Sequence, residues 1–175
     1  MKKENGFISN SIKGIRIIYR AEPKMLFLHI FFTFLHGLSW TMQVVSMQRF
    51  FDSAQSLVQK NISLTYCAIA LLGLIASYAF CQVMNGIDNC HARILSLAIA
   101  KHTNQSIFKR IDTMNCLEFE DENRLNYINK AMNGAGNIVW VCLTLLDIIF
   151  FYTTYFILMG IYLFTLKPVL SISIL

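Results

Sequence analysis

The chain has 175 residues, of which 55% are hydrophobic and only 14% charged, where a soluble domain carries roughly 25% charged residues. The formal net charge of +5 comes from Lys and Arg clustered beside apolar runs, as membrane insertion requires, so no nucleic-acid partner is expected. The five cysteines, Cys67, Cys81, Cys90, Cys116 and Cys142, are odd in number and lack the paired C-x-x-C spacing of a ligand set. Free thiols are expected, and no metal.

Residues 1–24 are basic, with Lys2, Lys3, Lys13, Arg16, Arg20 and Lys24. Ile12, Ile15, Ile18 and Tyr19 mark one face of a helix that Ser9, Asn10 or Ser11 could cap. Such a helix can lie in the headgroup layer, and Pro23 breaks it before the first span. Residues 1–24 are therefore expected to form a cytoplasmic tail and interfacial helix, and 25–175 a transmembrane domain.

Neither Met25 to Gln48 nor Asn61 to Ile87 contains an Asp, Glu, Lys or Arg. Each run exceeds the ~20 residues that cross a bilayer. Spans are expected at about 25–45, 64–84 and 147–166, with a fourth starting at 169. The first span carries a polar stripe, His29, Thr33, His36, Trp40 and Gln43, at spacings of four and three. Polar residues in hydrocarbon face a bundle interior or a wet cavity, so the stripe is a candidate substrate path; interhelical hydrogen bonding alone is the alternative. Gly73, Ser77 and Cys81 of the second span form a small-residue ridge suited to close helix packing.

Asp88 to Gly136 is the long polar segment, with twelve charged residues. Much of it reads as helix continuing the spans into water: Ile94, Leu95, Ala98 and Ile99 share one face, and Leu125, Ile128, Met132 and Ala135 another. Between these arms lies an acidic turn around Phe119. The third span follows, interrupted only by Asp147. Counting about 20 residues back from Lys167 sets Asp147 at the inner membrane boundary, where it is a further substrate-path candidate.

The layout, with the approach Arg110-Ile111, then Leu117 and Phe119-Glu120, and the descent from Arg124-Leu125 to Ala131, resembles the N-terminal part of the transmembrane domain of a type-1 ABC exporter. The resemblance implies an all-α fold of polytopic membrane helices with long cytoplasmic extensions, part of the six-span family fold. It implies an interfacial elbow helix at the N-terminus and a coupling loop over 88–136. There Leu117, Glu118, Phe119, Glu120, Asp121 and Arg124 would dock an ABC ATP-binding domain, in cis or in trans. It further implies ATP-Mg on that domain, a dimer with a second transmembrane half, and residence in a bacterial plasma membrane as a multi-pass protein.

This sequence has no G-x-x-x-x-G-K-[ST] loop to cradle phosphate and no hydrolytic constellation, so no catalytic residue is expected in it. A truncated or fragment form of the exporter is the expectation; the alternative is a small multi-pass binding or immunity-type membrane protein without a nucleotide partner.

Basic residues set the orientation. Six lie in residues 1–24 and six in Asp88 to Gly136, against two in Arg49 to Ser63, placing the N-terminus and the long arm in the cytoplasm. A Gln55→Cys variant should therefore react with an impermeant thiol reagent from outside intact cells, while native Cys116 stays protected. Reversed labelling would overturn this topology.

Overall fold

A computed structural model describes residues 6–115 and 121–166, and among these the chain is helical without strands. The elements are α1 (Phe7–Ala21), α2 (Pro23–Val58), α3 (Leu64–Ile111), α4 (Glu122–Asp147), a π-helical turn (Ile148–Tyr152) and α5 (Thr153–Leu166). Three helical stretches are long and apolar enough to cross a membrane: Pro23–Val58, Leu64–Ile111 and Glu122–Leu166. Together they make this a chain of multi-pass character. The expected start of a fourth span at 169 lies outside the described residues.

Several boundaries differ from the sequence reading. Helix α1 begins at Phe7 with Gly6 in the capping position, ahead of the serines that could have capped it. Pro23 is the first residue of α2, where its fixed φ suits a helix start and its missing N–H leaves nothing unsatisfied. Helix α2 runs on to Val58, so the polar stretch Arg49 to Ser63 is mostly helix. It ends in a Schellman arrangement: the Asn61 amide donates to the Ser56 carbonyl, the Lys60 amide to Leu57, and Lys60 takes φ 60°. The segment 88–136, by contrast, is as expected largely helix that continues the spans, to Ile111 and again from Glu122.

The chain divides into two compact units, Met1–His29 with His91–Leu146, and Ile30–Cys90 with Asp147–Leu175. In the first unit, Ser11, Gly14 and Ile18 are the buried side of α1. A Cβ on Gly14 would collide with Cys142 Sγ and touch Ile138 of α4, and the Cys142 thiol points to the Ser11 carbonyl at 3.8 Å. The apolar face expected on Ile12, Ile15, Ile18 and Tyr19 is thus split. Ile18 is buried, whereas Ile12 and Tyr19 are more than half exposed. Small residues let two backbones approach closely, and that contact outweighs the isoleucine periodicity. Leu95, Ile99, Val139, Leu143 and Leu146 complete this core.

The second unit has its polarity inverted relative to a soluble protein. Thr33, Ser39 and Thr41 of α2 and Ser77, Cys81 and Asp88 of α3 are buried, while Phe31, Phe34, Met42, Leu72, Ile75 and Val83 are exposed. Apolar side chains outward and hydrogen-bonding side chains inward is the arrangement a hydrocarbon surround favours. Ser39, Thr41 and Ser53 of α2 bond back to carbonyls of their own helix, those of His36, Gly37 and Arg49. Gly73, expected to share the ridge of Ser77 and Cys81, faces open space instead.

Gly37 fixes the approach of α2 to the π-helical turn: a Cβ there would lie 2.8 Å from the Phe151 carbonyl oxygen and 3.2 Å from Thr154 Cβ. A Gly37→Ala substitution must push these backbones apart, at about 1–3 kcal/mol. Gly73→Ala meets nothing and should gain up to about 1 kcal/mol of helix propensity. Thermal unfolding in detergent should therefore show Gly37→Ala lowered and Gly73→Ala unchanged or raised; equal effects would refute the close approach at Gly37.

Candidate functional site

The site grows from the buried face of α2. Thr33, His36 and Trp40 recur at three and four residues, so they stack on one side of the helix. Ser77, Cys81, Met84 and Asp88 recur at four, three and four along α3, all buried. Where the two faces meet, Asp88 is gripped at both oxygens. The Thr33 hydroxyl donates to Oδ1 at 3.0 Å, and His36 Nδ1 lies 3.2 Å from Oδ2.

Trp40 settles the direction of the last bond. Its indole N–H can only donate, and it points at His36 Nε2 at 3.1 Å. His36 Nε2 is then an acceptor, its ring proton sits on Nδ1, and Nδ1–H donates to Asp88. A relay Trp40–His36–Asp88 results, with Thr33 closing the other side. Its α2 members, Thr33, His36 and Trp40, lie within about two turns of one another.

A second carboxylate joins from the third span. Asp147 brings an oxygen within 4.8 Å of one on Asp88 and lies beside Thr33 and His36 as well. The helix loosens into its π turn directly after Asp147, from Ile148 to Tyr152. Such turns recur at functional sites, because the extra residue re-aims side chains on either side. Here it swings Phe151 onto His36, ring centroids 4.7 Å apart.

These groups open onto a cavity of about 390 Å³ lined by His36, Trp40, Asn85, Asp88, Asn89, Asp147, Phe151, Tyr152, Tyr155 and Phe156. Its aromatic walls are ordered against each other. Trp40 meets Phe151 and Tyr155 edge-on at 6.3 and 6.5 Å, and Phe151 and Tyr155 lie nearly parallel at 6.4 Å. Asn89 donates to the backbone and side-chain oxygens of Asn85. The lining holds two carboxyl groups and no Lys or Arg, a composition that favours positive over negative charge.

Of the residues expected along the substrate path, Thr33, His36, Trp40 and Asp147 come together here. Gln43 is half-buried and does not line the cavity. His29 belongs to the first unit, where it is buried and stacks on His91 at 5.9 Å and 13°. Asp147 was expected at the inner membrane boundary. It lines the cavity together with His36. Asp88, read as the first residue of a cytoplasmic loop, was missed as a site residue. Its signal was the continuation of the Ser77–Cys81 spacing into Met84 and Asp88.

The coupling residues are described in part. Leu117, Glu118, Phe119 and Glu120 lie outside the described residues. Asp121 and Arg124 join Arg110, Thr103 and Tyr127 around an open cleft of about 880 Å³ between the end of α3 and the start of α4.

No protein-family model, curated protein or solved structure matches this chain.

Removing the imidazole donor in a His36→Phe variant leaves Asp88 Oδ2 short of a bond to a charged group, a loss of about 1.5–3 kcal/mol. Trp40→Phe removes only a neutral bond, at about 0.5–1.5 kcal/mol. Unfolding in mixed detergent should rank the two in that order. Equal stability of both variants and the parent would mean the relay does not hold Asp88.

Proposed function

We propose that the chain contributes membrane helices of an ATP-driven exporter, forming part of its substrate path and coupling to an ABC ATP-binding domain. The observation that carries this reading is helix length. At 1.5 Å per residue, the 48 residues of α3 reach about 72 Å, against a hydrocarbon core of about 30 Å. More than half of α3 therefore has to stand outside the hydrocarbon. The same holds for the stretch from Glu122 to Leu166. A protein that only bound a ligand within the bilayer would have no need of such arms.

Two further features support it. Asp121, Arg124 and Arg110 border an open cleft, which suits a docking point for a soluble domain. Unit two, taken by itself, presents an aromatic, carboxylate-bearing cavity among helices whose outer faces are apolar. In this reading the N-terminal segment and the arms are cytoplasmic, and the lipid bilayer of a bacterial plasma membrane is the surround. A second transmembrane half completes the path, and ATP-Mg is bound by the partner domain.

Affinity purification of the tagged chain from its own membranes tests this. The preparation should contain a polypeptide with a P-loop and should hydrolyse Mg-ATP. Phe119→Ala should lower recovery of that polypeptide severalfold while helical content stays unchanged. A well-folded preparation with no ATP-binding polypeptide and no ATPase activity would contradict the proposal.

A further inference from the structure

The cavity of the second unit has a chemistry that narrows what can occupy it. Its floor is acidic, formed by Asp88 and Asp147 with oxygens within 4.8 Å of each other. Five of the ten lining residues are Trp, Tyr or Phe. Trp40, Tyr152 and Phe156 are each more than two-fifths exposed, so their rings are open to an occupant rather than packed away.

Three classes of occupant can be compared. An anion is repelled by both carboxylates. A small inorganic cation wants six or more oxygen ligands at short range if it is Ca²⁺ or Mg²⁺. Three of the oxygens here are already engaged: Asp88 accepts from Thr33 and His36, and the Asn85 side-chain oxygen accepts from Asn89. The remaining wall is aromatic. A weakly hydrated organic cation suits both parts at once. Its charge meets the carboxylates, and its substituents meet ring faces, whose quadrupole also attracts positive charge. A volume of about 390 Å³ lies within the range of small-molecule sites.

We propose that this cavity binds a lipophilic organic monocation, an ammonium group carrying an aromatic or branched apolar body. The charge sits between Asp88 and Asp147, and the body lies against Trp40, Tyr152, Tyr155 and Phe156. The Trp40–His36–Asp88 relay acts as a positioning device: it keeps the Asp88 carboxylate turned toward the occupant and keeps His36 a hydrogen-bond donor to it. This deepens the export reading by naming the substrate class of the same path, and rests on it only for the word substrate. Binding itself needs no nucleotide domain.

The test uses the full chain in lipid nanodiscs and radiolabelled benzyltrimethylammonium, a permanent cation that cannot shed its charge to enter lipid. Binding should be saturable. Its neutral isostere, neopentylbenzene, should fail to compete at a hundredfold excess. Asp147→Asn and Asp88→Asn should each weaken binding at least tenfold, and Tyr155→Ala severalfold. The proposal is overturned if binding is absent from well-folded protein, if the neutral isostere competes as well as unlabelled cation, or if folded carboxamide variants bind as the parent does. Should neither carboxamide variant fold, the isostere comparison on the parent protein decides alone. Failure here leaves co-purification of an ATP-binding polypeptide unaffected, so the two readings fall separately.

Discussion

The second unit is organised around a carboxylate that apolar surroundings would otherwise exclude. An ionisable side chain between membrane helices is costly unless its hydrogen-bonding capacity is met. Asp88 is held by Thr33 at one oxygen and by His36 at the other. That requirement explains why α2 carries polar residues at helical spacing in an otherwise apolar run. It explains why Gly37 is a glycine, since the helix must come close to the Phe151 carbonyl for the same face to reach the third span. It also gives the π turn after Asp147 a role, because a regular helix there would present Phe151 and Tyr155 at a different angle to Trp40.

The consequence is a unit with its chemistry inside and its greasiness outside. Phe31, Phe34, Ile75 and Val83 face away from the packed interior, where Cys81, Met84 and Met159 are the buried hydrophobic side chains among the described residues of this unit. Burial in lipid rather than in protein is what these residues are suited to. The interior is then available for polar and aromatic side chains, and a cavity among them can differ in charge from both the lipid and the aqueous phases. In the first unit the balance is more ordinary: Ile18, Leu95, Ile99, Val139 and Leu143 make an apolar core, with Gly14 admitting α1 close to α4.

Much of this was legible in the residues. Three spanning helices follow from uncharged runs and their lengths, and the polar stripe of α2 follows from spacing alone, since a helix can put Thr33, His36 and Trp40 on only one side. What could not be read was which carboxylates the stripe would meet. Asp88 sits just beyond an uncharged run, so composition assigns it to water, whereas the packing of α3 carries it inward on the face of Ser77 and Cys81. Asp147 was noticed as an interruption, but depth counted from a helix end is ambiguous when the run exceeds the bilayer. The packed side of α1, on Ser11, Gly14 and Ile18, was not read either. Periodicity weighs side chains by hydrophobicity, while close helix contacts select for small ones.

A cavity lined by two carboxyl groups and no Lys or Arg should favour cations over anions. In a cysteine-free background, Asn85→Cys would place one thiol in that cavity and Phe34→Cys another on the lipid-facing side. The rate of modification by a cationic methanethiosulfonate, relative to an anionic one of similar size, measures the local potential directly. At Asn85→Cys the account predicts a ratio at least tenfold above that of a free thiol in solution, falling severalfold when Asp147→Asn is added, and little reaction with either reagent at Phe34→Cys. Equal rates for the two reagents at Asn85→Cys, or a thiol at position 34 as reactive as one at position 85, would contradict it.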